Sequence, residues 1–328
     1  MNNKIKIFLC ALLLLLPTGL HAGDFTKAGR TAFQFVKIGI GARQVAMGEA
    51  SLAVVRDVNA MYWNPANITG INKGEASFSY ASWFADMDYV SAAAGYRWDG
   101  VGVFSLGLAG LDYGDIPEAL VSGANGSSDT RTGNTFTGSD LLMGFSFARE
   151  FTDQLSIGIG VKYLNETLFD YSVGVFAFDV GSYYNTGYNG IRIAMSAQNF
   201  SRSVQWLEDG DREEGYDIPL VFRVGLAVDV IRTDNAFFTM GENHSLMLSL
   251  DAIHTNDYAE RMHIGAEYWF GDIFALRGGY KFNYEEGNLS FGVGVRPSVS
   301  GLRMNLDYAY THFEFLESPH RFSLSFAF

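Results

Sequence analysis

From about residue 74 to the end, large apolar side chains fall at every second position, with small, polar or charged ones between them. Leu302, Met304, Leu306, Tyr308 and Tyr310 alternate with Arg303, Asn305, Asp307, Ala309 and Thr311. The last segment repeats this, with Phe322, Leu324, Phe326 and Phe328 set against Arg321, Ser323, Ser325 and Ala327. Phe222, Val224, Leu226 and Val228 alternate with Arg223, Gly225, Ala227 and Asp229, and Leu289 to Val295 and Leu246 to Leu250 do the same. A period of two sends successive side chains to opposite faces of a sheet. The pattern predicts about fourteen strands, at 75–84, 88–98, 101–111, 138–150, 155–165, 171–184, 189–199, 220–231, 245–253, 260–270, 273–282, 287–298, 302–311 and 319–328. Between Asp170 and Tyr184 the apolar parity changes near Val175 and Phe176, which predicts a β-bulge there.

A soluble sandwich also alternates, so length has to decide. The segments run ~10–14 residues, whereas soluble strands have a mode near 5–6 and a tilted strand needs ~9–11 to cross a bilayer. Arg97, Lys162, Arg192, Arg223, Asp229, Glu267, Arg277 and Arg303 fall within strands on the non-apolar face. In a barrel that face lines the lumen, where charges can pair with one another. The expected fold is therefore an all-β transmembrane barrel of about fourteen antiparallel strands. Asp99-Gly100, Thr152-Asp153, Gly271-Asp272 and Ser300-Gly301 read as tight turns. Longer links at 112–137 and 200–219 fall on the other side, the asymmetry of outer-membrane barrels with short turns toward the periplasm. The link 232–244 breaks this rule. An even strand count places both barrel ends in the periplasm. Phe326 and Phe328, closing the last alternating strand, resemble the C-terminal signal read by the barrel-insertion machinery.

The first residues set the compartment. Lys4 and Lys6 precede an apolar run from Ile7 to Leu16, broken by Pro17 and Gly19 and closed by Ala22. That is the layout of a secretory signal peptide over 1–22, because ~10 apolar residues are too few to cross ~30 Å of hydrocarbon as a helix. Cys10 is the sole cysteine and lies in this leader, so the mature chain carries no disulfide. Aromatic residues reach 15% and hydrophobic residues 48%, yet no later run approaches a spanning helix, which again requires interleaving. The net charge of −13 argues against a nucleic-acid partner.

Between the leader and the first strand, residues 23–73 are rich in Gly and Ala and lack sustained alternation. Short helices are expected around Gly41–Gly48 and Val58–Trp63. The segment reads either as a periplasmic arm or as a plug in the lumen, which at about fourteen strands would otherwise stay open. The ordered set Phe35 to Arg43, Ala46-Met47-Gly48-Glu49-Ala50, Asp57-Val58-Asn59-Ala60 and Tyr62-Trp63-Asn64-Pro65-Ala66 resembles the opening of the PorV/PorQ proteins. These belong to the wider FadL-like barrels. Phe178-Asp179-Val180-Gly181 is similar to a strand common there. The resemblance implies a plugged fourteen-stranded barrel whose hatch or gating residues are Gly41, Met47, Gly48, Asn64, Pro65 and Ala66. It also implies either a binding or assembly role in type IX secretion or passive transport of hydrophobic small molecules. The Asn64 turn is expected to dock against lumen charges such as Arg223 or Arg277.

Catalytic chemistry finds little support. His244, His254, His263, His312 and His320 form no metal-ligand spacing, and no nucleophile elbow or phosphate loop is present. No enzyme activity, cofactor or metal is expected. The acidic run of Glu208, Asp209, Asp211, Glu213, Glu214 and Asp217 lacks calcium-loop spacing and reads as a solvated outer loop. Trp83, Phe84, Tyr89, Trp98, Trp269 and Phe270 are expected in the interfacial girdle. Expected partners are outer-membrane lipid and lipopolysaccharide, the barrel-insertion machinery, and either type IX components and cargo C-terminal domains or a small hydrophobic ligand. The expected location is the bacterial outer membrane, crossed many times.

Overall fold

The structure, a computed structural model, describes residues 29–119, 131–205, 207–208, 211–212, 215–239, 244–299 and 302–328. The leader, the start of the N-terminal segment, Asp209, Glu213 and Glu214 of the acidic run, and the Ser300-Gly301 turn lie outside the described residues.

Fourteen strands close into one ring. They are β1 Gly74–Ser82, β2 Asp88–Trp98, β3 Gly102–Asp112, β4 Gly138–Glu150, β5 Leu155–Leu168, β6 Tyr171–Asn185 and β7 Arg192–Phe200. The ring continues with β8 Val221–Arg232, β9 His244–Thr255, β10 Arg261–Phe270, β11 Phe274–Phe282, β12 Leu289–Val295, β13 Leu302–His312 and β14 His320–Ala327. Each strand pairs antiparallel with its neighbours in sequence, and β14 returns to β1 through register partners Ala76 and Phe326, so no edge remains. Two-residue stubs at Phe238–Thr239 and Ser298–Val299 attach to this sheet, and the pairs Ile116–Ala119 with Arg131–Phe136 and Leu207–Glu208 with Asp211–Arg212 form outer-loop hairpins.

Burial inverts the rule for water-soluble proteins. Along β3, Leu106 and Leu108 are 63% and 50% exposed, while Ser105 and Ala109 are 2% and 1% exposed. Every strand turns its large apolar residues outward and its small or polar ones inward. Such a belt left in water would cost about 25 cal/mol for each Å² of apolar surface, so hydrocarbon has to cover it. Trp98, Phe151, Tyr188, Phe270 and Phe328 are exposed at the rim carrying the short turns. At the turn after β10, Gly271 and Asp272 both adopt positive φ, 61° and 52°, the twist that tight hairpins favour. Among the described residues no helix is long and apolar enough to cross a membrane, which bears on helices alone.

Two sequence expectations need correction. No bulge interrupts β6 at Val175, since its pairing with β5 runs unbroken from Tyr171 to Tyr184. The register shift lies on the other side, between Phe178 and Val180 against β7. The parity change has another cause: Val175 faces inward, where an apolar cluster inside the barrel receives it. Tyr89 and Trp269 are buried in the lumen and not in the girdle, because they share the inward parity of Ser91 and Glu267.

Residues 29–73 form an inner segment surrounded by the strands. It contains 3-10 turns at Gln34–Lys37, Val58–Tyr62 and Pro65–Gly70 and one short helix, α1, at Ala42–Ala46. The first and last of the 3-10 turns were not expected from sequence. Helix α1 packs against β11 to β14, Val58–Tyr62 against β1 to β4, and Pro65–Gly70 against β3 to β6. The backbone comes this close because the inward positions opposite it are glycine. A Cβ on Gly158 would lie 2.4 Å from the Ala66 nitrogen, and one on Gly279 2.0 Å from the Met47 carbonyl carbon. Gly95, Gly107, Gly181, Gly265 and Gly292 are notches of the same kind.

Candidate functional site

The inner segment meets a charged wall on one side and a thin apolar wall on the other, and this contrast defines the site. On the charged side, Arg43 of α1 forks onto Glu267 of β10, with Nε to Oε2 and Nη2 to Oε1 both 2.8 Å. Arg277 of β11 shares the same carboxylate at 2.6 Å and reaches Asp307 of β13 at 2.7 Å. Trp269 lies beneath Arg277 and Arg296 at 5.4 and 4.0 Å from its ring. Glu49 accepts from Lys281 at 3.0 Å. Burial alone would raise the Glu49 carboxyl, but the Lys281 ammonium and the neighbouring positive groups outweigh it and hold the carboxyl at about 2. Buried charges of this kind persist only when paired, so the network ties α1 to its side of the barrel.

The apolar side is built from smaller residues. Asp57 caps the turn Val58–Tyr62 by accepting from the Asn59 amide at 2.9 Å, which aims Met61 and Tyr62 at the wall. There the inward residues are Ala93, Gly107 and Gly144, and a Cβ on Gly107 would lie 2.5 Å from the Tyr62 hydroxyl oxygen. That hydroxyl sits 2.8 Å from the Ala92 carbonyl and 2.9 Å from the Leu108 carbonyl, which belong to register partners on β2 and β3. Its single proton is shared between them.

Outside the same stretch of wall lies a groove of about 680 Å³, lined by Ala92, Ala94, Leu106, Leu108, Met143, Phe145, Val161 and Phe176 among others. On a convex cylinder, outward side chains from β2 through β6 would diverge. One depression touching all of them means the wall is drawn inward here, where its inner face carries the smallest residues. Tyr62 and Met61 stand directly behind it. The lumenal cavity beside them, bounded by Ile38, Ile40, Tyr62, Leu142 and Arg223, is only about 30 Å³, room for a water molecule or two. The interior is thus filled at this level.

The expected site residues are distributed as follows. Gly41 precedes α1 with φ 91°, and its carbonyl accepts from Val45 at 3.1 Å. Met47 is fully buried over Gly265 and Gly279, and Gly48 adopts φ 62° beside the Tyr280 backbone. Pro65 opens the last 3-10 turn and Ala66 is buried against Gly158. Asn64 does not reach Arg223 or Arg277. Its Oδ1 accepts from Ala66 at 3.1 Å and its Nδ2 donates to the Ser182 carbonyl at 3.0 Å. The arginines are engaged elsewhere, Arg277 as above and Arg223 over the Trp63 ring at 4.9 Å. Arg97 donates to the Ile71 carbonyl at 2.7 Å and to that of Thr69, while Arg303 shares the inward parity but is exposed at the start of β13. Phe326 pairs with Ala76 and Met304, and Phe328 exchanges backbone hydrogen bonds with Gly74 at 3.0 and 3.2 Å, closing the seam. Among the described residues no cluster of His, Cys, Asp or Glu could hold a metal ion.

Sequence reasoning missed the wall groove, Tyr62 and the Arg43–Glu267 fork. The groove had a visible trace: Ala92 and Ala94 interrupt the large outward residues of β2.

No family model matches the chain, and no curated protein matches it either. Solved structures do. The toluene transporter TbuX of Ralstonia pickettii aligns over 88% of this chain and 97% of its own, with TM-score 0.57 and 15% identity. The toluene transporter TodX of Pseudomonas putida gives TM-score 0.60 at 12% identity over 88% and 97% of the two chains. A FadL homologue from Pseudomonas aeruginosa gives 0.53 at 11% over 88% and 98%. The fold is therefore that of the FadL-like barrels, and the chain is a multi-pass protein of the bacterial outer membrane. These likenesses lend no support to PorV/PorQ membership or to a role in type IX secretion.

Proposed function

We propose that this barrel is a passive conduit for small hydrophobic molecules across the outer membrane, with residues 29–73 as the movable hatch. The observation that carries the reading is the apolar groove in the wall, separated from the lumen only by small residues and backed by Tyr62 and Met61. The solved structures sharing the fold include proteins described as toluene transporters and a monoaromatic hydrocarbon channel, and this agrees with the reading. The ion pairs on the opposite wall favour a segment that pivots on its charged side and leaves the apolar side. An uncharged solute leaving through apolar wall never has to displace the charged network.

The test uses whole cells, because the polar lipopolysaccharide surface is the barrier an apolar solute meets. Cells producing the barrel should take up N-phenyl-1-naphthylamine several-fold faster than cells carrying an empty vector. Replacing Ala92 and Ala94 with Leu fills the groove from the lipid side and should remove most of that gain. Uptake equal to that of the vector would overturn the reading.

A further inference from the structure

At the mouth carrying the long loops, the inner face changes character. Elsewhere the lumen is lined by Gly, Ala, Ser and paired charges, but here Leu111, Leu142, Leu164 and Val175 face inward from β3 to β6, joined by Val204 and Ile218 of the loop above. Bulky aliphatics facing the lumen need an apolar occupant. In this structure it is the chain's own arm: Phe33 and Phe35, both buried, with ring centroids 6.5 Å apart, fill the space.

The arm is clasped differently from the rest of the inner segment. Beyond residue 41 the backbone interlocks with glycine notches. Residues 31–37 are instead held by single polar contacts at the rim. The Ala32 amide donates to the Asp217 carbonyl at 3.0 Å, and the Phe33 amide to Glu166 at 2.8 Å. Thr31 and Lys37 share Asp257, at 3.2 and 2.6 Å. Phe33 adopts φ 54° and ψ 43°, a left-handed conformation that a bulky residue takes only under constraint. Release of the arm relieves that constraint and exchanges its rim contacts for water. The pocket continues inward past Leu142 to Tyr62, behind the wall groove.

We propose that Phe33 and Phe35 are an internal stand-in for the transported molecule: the pocket they fill is its entry site, and the arm is a stopper that the solute displaces. This rests on the conduit reading and adds to it a place and a class. A pocket moulded on two phenyl rings, with no unpaired charge among its apolar lining, takes neutral compounds of one or two rings.

Two measurements on full-length protein separate this inference from the conduit reading. The first is N-phenyl-1-naphthylamine entry into cells producing wild type or the Phe33→Ala/Phe35→Ala variant, each checked as a folded barrel by its faster gel migration unheated than boiled. The second is labelling of Ala32→Cys, in a Cys10→Ser background, by a membrane-impermeant maleimide on purified barrel with and without saturating N-phenyl-1-naphthylamine. The double variant should speed entry several-fold over wild type. The compound should raise labelling several-fold, and Asp257→Asn should raise it without the compound. Entry at the wild-type rate in the folded double variant would overturn the stopper while leaving the conduit standing. Entry at the vector rate in every strain would remove the conduit, and the stand-in would then be judged by labelling: a rise supports it, no change overturns it. If the double variant does not fold, Asp257→Asn takes its place in the entry assay with the same outcomes.

Discussion

Arg43 and Glu267 lie 224 residues apart in the chain and meet as a two-pronged pair, with both nitrogen–oxygen distances 2.8 Å. One belongs to the inner segment and the other to the wall, and Arg277 binds the same carboxylate. Removing the carboxylate leaves two buried guanidiniums facing one another. Glu267→Gln is expected to weaken the docking of α1 by about 3 kcal/mol, the usual loss when one member of a buried network is deleted. Hydrogen exchange should rise over 42–50 while the strands stay protected, and unchanged exchange there would remove the network's anchoring role.

The glycine notches make a sharper geometric prediction, because β11 carries two adjacent glycines on opposite faces. A Cβ on Gly279 would meet the Met47 backbone at 2.0 Å, whereas one on Gly278 would find its nearest atom at 3.7 Å, outside the barrel. Gly279→Ala should expel Met47 and expose 42–50 to protease, and Gly278→Ala should behave as wild type. Equal behaviour of the two variants would mean that the segment does not rest on this wall.

Asn64 tests the other end of the segment. Its side chain satisfies the Ala66 amide and the Ser182 carbonyl in a fully buried position. Asn64→Ala is expected to cost about 1–3 kcal/mol locally, the penalty of stranded buried partners, while the strand ring persists. In planar bilayers the wild type should be mostly closed, and both Asn64→Ala and deletion of 29–66 should raise conductance. A deletion without effect on conductance would mean that the segment does not close the lumen.

Glu49 provides a pH signature. Its docked carboxyl lies at about 2, below the ordinary 4.5, so its contribution is fully present above about pH 4.5 and is lost as the pH falls through 2. Depression of this size is worth on the order of 3 kcal/mol. Protection of 42–57 against exchange should therefore fall between pH 4.5 and 2 in wild type, and Glu49→Gln should flatten the profile. A profile identical in the two proteins would assign the acid response to other groups.

Sidedness follows from the loops. Cysteines at Asp86 and Glu317, in the turns after β1 and β13, should react with an impermeant maleimide on intact cells. Cysteines at Asp99 and Asp153, in the short turns after β2 and β4, should react only after the outer membrane is broken. The opposite result would invert the barrel.

Much of this architecture was readable residue by residue. Each strand carries its inside and outside in a period of two, so the alternation across Leu302–His312 or Val221–Arg232 implies a two-faced wall, and the length of the segments implies a bilayer. Even the inward placement of Trp269 is written in its parity with Glu267. Val175 was misread because its apolar partner, Phe33, lies far away in sequence, and parity cannot say whether an inward face meets water or another part of the chain. The Arg43–Glu267 fork, the fit of Gly279 to Met47 and the indentation behind Ala92 all depend on which strands face each other once the ring has closed. Alternation is imposed locally by the backbone of each strand, whereas contacts across the lumen arise from closure of the whole sheet, and so only the tertiary structure decided them.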